Sequence, residues 1–172
     1  MYSVTEMKKT KYLSKVQIHD LLEFVKMHYP IECSDNNKKS SYWKLALLKS
    51  FEECQYVTAV HVGSHLVACV FHSKLQCNIS NEFYIDVRTL CVHTNYRRLG
   101  IATKLLQSIV DYAMNKNCAW LELFVDAKQD KSHETLLQMY KRMGFLAIYR
   151  EKQREFYLYL VTSAYNLQEA EL

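Results

Sequence analysis

The sequence predicts a mixed α/β fold: a sheet of six to seven mostly antiparallel strands with a central parallel pair, and helices on both faces. Three observations carry this reading. Extended and helical segments follow the order β-α-α-β-β-β-α-β-α-β-β. Two β-branched or apolar runs, Tyr56 to Val62 and Leu66 to Phe71, flank Gly63-Ser64 at hairpin spacing. A strand, a glycine-bearing turn and a helix then follow one another at Phe83 to Val92, Arg97 to Ala102 and Thr103 to Met114, which opens a βαβ unit and so calls for a parallel pair.

Each element has a local cause. Tyr2 to Met7 reads as a first strand. Ser14-Lys15-Val16-Gln17 has the spacing of a capping box, in which the serine and glutamine side chains each satisfy the other's backbone amide. Leu21, Leu22 and Val25 recur at helical intervals toward Pro30, so this helix is expected to end near His28. Residues 30–40 are turn-rich, and Tyr42 to Glu53 resumes a helical pattern with Trp43, Leu45, Leu47, Leu48 and Phe51. Beyond the hairpin and the βαβ opening come a strand at Ala119 to Val125, a helix from about His133 to Met143, and strands at Phe145 to Tyr149 and Phe156 to Val161. Gly144 fits a left-handed position ending the last helix.

Size and composition bound the possibilities. A chain of 172 residues with 49% apolar and 23% charged residues suits one domain spanning 1–172. The first residues lack the apolar core of a secretory signal, and the longest aliphatic runs are too short to cross a bilayer. The expectation is a soluble, cytoplasmic protein without membrane partners, monomeric or homodimeric, with a nuclear location also open. Cysteines 33, 54, 69, 77, 91 and 118 form no C-x-x-C pair, and several lie in apolar runs, so they read as reduced packing residues. His61 and His65 have no Cys or carboxylate beside them at ligand spacing, and no metal is expected. A net charge of +4 favours anionic ligands mildly and is too small for a dedicated nucleic-acid binder.

The segment Arg97-Arg98-Leu99-Gly100-Ile101-Ala102 is the most informative stretch. The first turn of a helix leaves about four amides without intrahelical partners and carries roughly half a positive charge, so a basic glycine turn leading into it is suited to phosphate. An ordinary strand-to-helix turn with solvated arginines would have the same local sequence.

Three separated features agree on more. They are the Leu90-Cys91-Val92 strand end, the Arg97-x-x-Gly100-x-Ala102 turn, and Met139-Tyr140-Lys141-Arg142-Met143-Gly144-Phe145 some forty residues later. Together they resemble the GCN5-related N-acetyltransferase (GNAT) superfamily, most specifically over about residues 83–145. The resemblance implies that the two parallel strands splay apart and that the pantetheine arm of acetyl-CoA pairs with the freed edge like an added strand. Leu90, Cys91 and Val92 would supply that edge. The main chain of Arg97, Arg98, Leu99, Gly100, Ile101, Ala102 and Thr103 would hold the pyrophosphate, with Gly100 allowing close approach. The family's asparagine position is occupied by His133, as a possible cofactor contact or as a solvated helix-start residue.

The same resemblance assigns chemistry. Tyr140 matches the general acid that protonates the departing thiolate; packing against the helix is its structural alternative. Asp86 stands where the histone-acetylating branch places a catalytic glutamate. Its reference pKa lies some six units below that of a lysine amine, so direct abstraction would need burial or a water relay. An ion pair with Arg88 is its alternative role; Glu82 is the fallback base, and a site without a dedicated base is also open. Cys91 has no adjacent base and reads as a buried packing thiol.

Family likeness places the acceptor between residues 29–41 and 149–156, both of mixed charge. The implied function is transfer of an acetyl group from acetyl-CoA to a primary amine, on a protein N-terminus, a lysine or a small molecule. The competing reading is a non-catalytic acyl-CoA-binding or interaction module, suggested by Asp86 and His133.

Overall fold

A computed structural model describes residues 3–4, 8–28, 48–126, 131–152 and 155–162. The chain divides into two compact units, Met1–Ser73 with Arg88–Leu106, and Lys74–Val87 with Gln107–Leu172. Its elements are β1 (Ser3–Val4), β2 (Lys8–Lys9), α1 (Lys15–His28), β3 (Tyr56–Val62), β4 (His65–Gln76), β5 (Phe83–Val92), α2 (Ile101–Asn115), β6 (Trp120–Asp126), α3 (Lys131–Arg142), β7 (Leu146–Arg150) and β8 (Glu155–Val161). The strands are mostly antiparallel, with β5 and β6 parallel, so the fold class is the expected mixed one.

In the first unit β1 and β2 both pair antiparallel with β3, and β3 pairs with β4 from Tyr56↔His72 to Val62↔His65. Gly63, at φ 58°, supplies the left-handed turn between them. Of the expected first strand, residues 3–4 are extended and 2 and 5–7 lie outside the described residues; a further short strand follows at 8–9. The capping box of α1 is formed in both directions, Ser14 N–H donating to Gln17 Oε1 (3.0 Å) and Gln17 N–H to Ser14 Oγ (3.2 Å). The helix is described to His28, and residues 29–47 lie outside the described residues. Of the expected second helix, residues 48–53 are helical and 42–47 lie outside the described residues. Leu21, Phe24 and Val25 of α1 pack with Phe51, Cys54, Val57, Cys69, Phe71 and Cys91 in one buried cluster. Arg88 is ion-paired with Glu53 and holds that carboxyl below the usual range.

In the second unit the strand order is β5-β6-β8-β7. β5 and β6 pair in parallel from Tyr84↔Trp120 to Val87↔Leu123; β8 pairs antiparallel with both β6 and β7. Along β6 the odd positions Leu121, Leu123 and Val125 are buried, at the period of two that assigns one strand face to the core. Ile85, Val87 and Leu158 on the neighbouring strands are buried as well.

Both helices that end in this unit do so by the same device. Phe145 N–H donates to Tyr140 C=O (3.1 Å) and Gly144 N–H to Lys141 C=O (3.0 Å), with Gly144 at φ 92°. Cys118 N–H likewise reaches Ala113 C=O (2.9 Å) and Asn117 N–H reaches Met114 C=O (3.1 Å), with Asn117 at φ 50°. These are Schellman caps, in which a left-handed residue lets two amides close on the last turn. Phe145 is consequently part of a cap, and β7 begins one residue later than the apolar run suggests.

Candidate functional site

The proposed phosphate loop lies wholly in the first unit and is built from main chain. His93 N–H donates to Val67 C=O on β4 (2.9 Å). Strand alternation therefore turns the main-chain groups of Cys91 toward β4 and those of Leu90 and Val92 to the opposite edge. The Cys91 side chain is buried in the cluster, and burial pushes its thiol up to about 12, so it is a packing residue with no nucleophilic character at neutral pH.

Past the strand, His93 Nδ1 accepts from Asn95 N–H (3.1 Å) and residues Thr94–Tyr96 make a single 3-10 turn. The Arg97 side chain does not serve as a free cation. Its Nε donates to Val92 C=O (3.2 Å) and its terminal nitrogen donates to His28 C=O, tying the loop to the strand it leaves and to the end of α1. The His28 ring lies tilted by 35° against His93 with centroids 4.0 Å apart, and burial, helped by His93 and Arg97, lowers its basicity.

Arg98 and Gly100 both adopt positive φ, 65° and 75°. A Cβ on Gly100 would meet nothing within 4 Å, so within the protein it is the backbone conformation that asks for glycine. The first intrahelical bond of α2 runs from Lys104 N–H to Gly100 C=O (3.1 Å), which leaves the amides of Ile101, Ala102 and Thr103 without a carbonyl four residues back. Ile101 is 2% exposed and anchors this end of the helix; Leu99 is 60% exposed. No carboxylate stands in the first turn. Left-handed residues alternating with ordinary ones, first-turn amides and an exposed Arg98 together fit a diphosphate.

The candidate catalytic groups lie in the second unit. Tyr140 is buried in the last turn of α3, its ring edge-on to Phe145 at 5.5 Å. The spacing Tyr140-x-x-x-Gly144-Phe145 thus has a structural cause, since it is the apolar contact that accompanies the Schellman cap. Asp86 is also buried and sits opposite Glu122 in the parallel register. Glu82 closes the loop before β5, its carbonyl accepting from Cys77 N–H (2.8 Å). His133 falls in the first turn of α3, and its side chain is outside the described residues. The acceptor-side segment 29–41 is outside them too, as are residues 153 and 154 of the second segment.

Sequence reasoning missed Glu122. Its Oε2 accepts from the Tyr157 hydroxyl (2.8 Å) and the Trp120 indole N–H (3.1 Å). Burial and the Glu122 carboxylate push the Tyr157 hydroxyl well above its ordinary range, so it stays a donor. The available signal was the alternation Trp120-x-Glu122-x-Phe124 against Leu121, Leu123 and Val125, which puts the glutamate on the half-exposed face of β6. Among the described residues, no group of three or more His, Cys, Asp or Glu is placed to hold a metal, and no helix is long and apolar enough to cross a membrane.

Solved structures share this fold. The NatC complex bound to Gag peptide and CoA aligns with a TM-score of 0.61 and 16% identity, covering 94% of this chain and 97% of that one. The ribosomal-protein-S18-alanine N-acetyltransferase from Escherichia coli gives 0.66 and 13%, covering 97% of each. Arabidopsis thaliana Naa50 in complex with the bisubstrate analogue CoA-Ac-MVNAL gives 0.62 and 16%, covering 92% and 97%. These likenesses establish the fold, and the family model described as "Acetyltransferase (GNAT) family" matches residues 18–145. The chain belongs to the GNAT acetyltransferase family.

Proposed function

We propose that this protein transfers an acetyl group from acetyl-CoA to a primary amine by direct attack in a ternary complex. The observation that carries the reading is the turn at Arg98 and Gly100, whose two positive φ angles lead into the first-turn amides of α2. In this reading the amides at 98–103 hold the diphosphate, and the outward main-chain groups of Leu90 and Val92 pair with the pantetheine arm. Arg97 is a positioning residue that fixes the loop through Val92 and His28. His133 is kept as a candidate cofactor contact.

When bound, acetyl-CoA supplies a thioester carbonyl. The amine nitrogen forms a bond to that carbon as the carbon–sulfur bond breaks, and the Tyr140 hydroxyl gives its proton to the departing sulfur. Asp86 takes the proton released by the amine, through water where the acceptor is a lysine. An α-amine is about one-third neutral at pH 7.5 and a lysine only about one part in a thousand, so a base matters far more for the second. Two of the structural neighbours are described as bound to a Gag peptide with CoA and to the bisubstrate analogue CoA-Ac-MVNAL, which supports a protein N-terminus among the amines to be tried.

Calorimetry with coenzyme A, followed by thiol release from acetyl-CoA against peptides, lysine-bearing proteins, polyamines and arylalkylamines, tests the proposal. Binding below millimolar levels with release for at least one class is expected. Binding without release for any class would make this a CoA-binding module, and absence of binding would remove the reading altogether.

A further inference from the structure

The exposed face of the second unit's sheet carries a carboxylate set among aromatic rings. Trp120 and Glu122 alternate with core residues along β6, Trp120 stacks on Tyr84 (4.9 Å, 4° between planes), and Tyr157 reaches Glu122 from β8. Both hydrogen bonds to Glu122 fall on Oε2; among the described residues Oε1 accepts none. The face already holds one cation, since the Arg150 guanidinium lies 4.8 Å from the Tyr157 ring centre and 5.2 Å from that of Phe124. Phe124 and Ile148 beside it are 44% and 51% exposed.

A half-buried carboxylate with one oxygen engaged and one open, walled by π faces, suits a compact cation attached to an apolar body. The two bonds on Oε2 fix the carboxylate plane, so Oε1 is presented in one direction. Of the other described carboxylates beside this face, Asp86 is buried opposite Glu122 in the register and Glu155 is ion-paired with Arg150 (3.9 Å), so neither is offered to the second ammonium of a polycation. We infer that Glu122 Oε1 receives the ammonium of the acceptor, with Trp120 and Phe124 against its apolar part and Tyr157, held between Tyr159 and Arg150, orienting the carboxylate, so that the preferred acceptor is a primary ammonium on an aromatic or aliphatic group. The identification of this ligand as an acceptor rests on the acetyltransferase reading above; the binding site itself does not.

The test measures both binding and turnover. With coenzyme A present, phenethylammonium is titrated into wild type and into Glu122→Gln, which keeps an acceptor for Tyr157 and Trp120, and phenethyl alcohol serves as the uncharged counterpart. Binding of the ammonium is expected to weaken at least tenfold in Glu122→Gln, with the alcohol bound equally weakly by both. In acetyl-transfer assays the KM for phenethylamine, or for a peptide beginning with Phe, is expected to rise by the same factor while the KM for acetyl-CoA stays within twofold. The peptide with a blocked α-amine separates the two sources of ammonium, because only a free terminus can show the effect. Binding without turnover would uphold the site and defeat the acetyltransferase reading. Turnover with an unchanged KM in Glu122→Gln, or no binding of the ammonium by wild type, would overturn the inference.

Discussion

The proposed phosphate loop after β5 and the proposed acceptor face around β6 offer opposite kinds of chemistry. Around Gly100 the chain offers main-chain amides, and the Arg97 guanidinium is spent on the carbonyls of Val92 and His28. Around Glu122 the backbone is engaged in the sheet and everything offered is side chain: a carboxylate, an indole, phenol rings. A site made of amides depends on φ and tolerates many side chains. One made of side chains tolerates backbone variation but fails on a single atom. The first suits a ligand part that never changes, and the second suits a partner that differs from one relative to another.

The sharpest way to break this contrast is Tyr140→Phe, which removes one hydroxyl and leaves the ring on Phe145. General-acid contributions of 10²–10⁴ predict a fall in kcat of at least about 100-fold with coenzyme A affinity unchanged by calorimetry. A residue needed only for the Schellman contact would leave kcat within a few-fold.

Next in size is a pH effect at a buried histidine of the first unit. His72 is fully buried on β4, beside Thr58 and stacked on Tyr56, and burial lowers it from 6.5 to about 4. The unfolded chain therefore takes up a proton that the folded chain refuses. The resulting stabilisation is complete above pH 6.5 and is lost as pH falls toward 4, a change of roughly 3 kcal/mol. Denaturant titrations across this range should show the slope in wild type and a flatter profile in His72→Gln.

A smaller effect is expected at the turn. Gly100→Val forces a β-branched residue into positive φ, at a cost of about 1–3 kcal/mol, and should weaken coenzyme A binding roughly tenfold or more although the new side chain meets nothing in the protein. Arg98→Gly, at the neighbouring left-handed position, should leave binding within about threefold. A large loss there would mean that the guanidinium itself grips the ligand and would erase the distinction between the two regions. Ser14→Ala breaks one arm of the capping box and should reduce stability by about 1 kcal/mol in thermal unfolding, leaving acetyl transfer untouched.

Local chemistry was legible wherever a residue acts on its immediate neighbours along the chain. Ser14 with Gln17, Gly63, Gly100 and Gly144 each dictate a cap or turn within a few residues, and the apolar period of two or 3.6 fixes which strand or helix follows. Element ends were less legible, because Phe145 can extend a strand or close a cap and only the bonds made by Gly144 and Phe145 to the preceding turn choose between them.

The glycine turn at 97–100 and its place before a helix follow from the sequence alone, since backbone conformation there is set by Gly100 and by the strand that precedes it. The assignment of partners to side chains needed the tertiary structure. Arg97 became a brace because α1 ends beside it, and Glu122 became an ammonium candidate because β8 brings Tyr157 to one of its oxygens. Both are contacts between residues far apart in the chain, whose direction no local periodicity encodes.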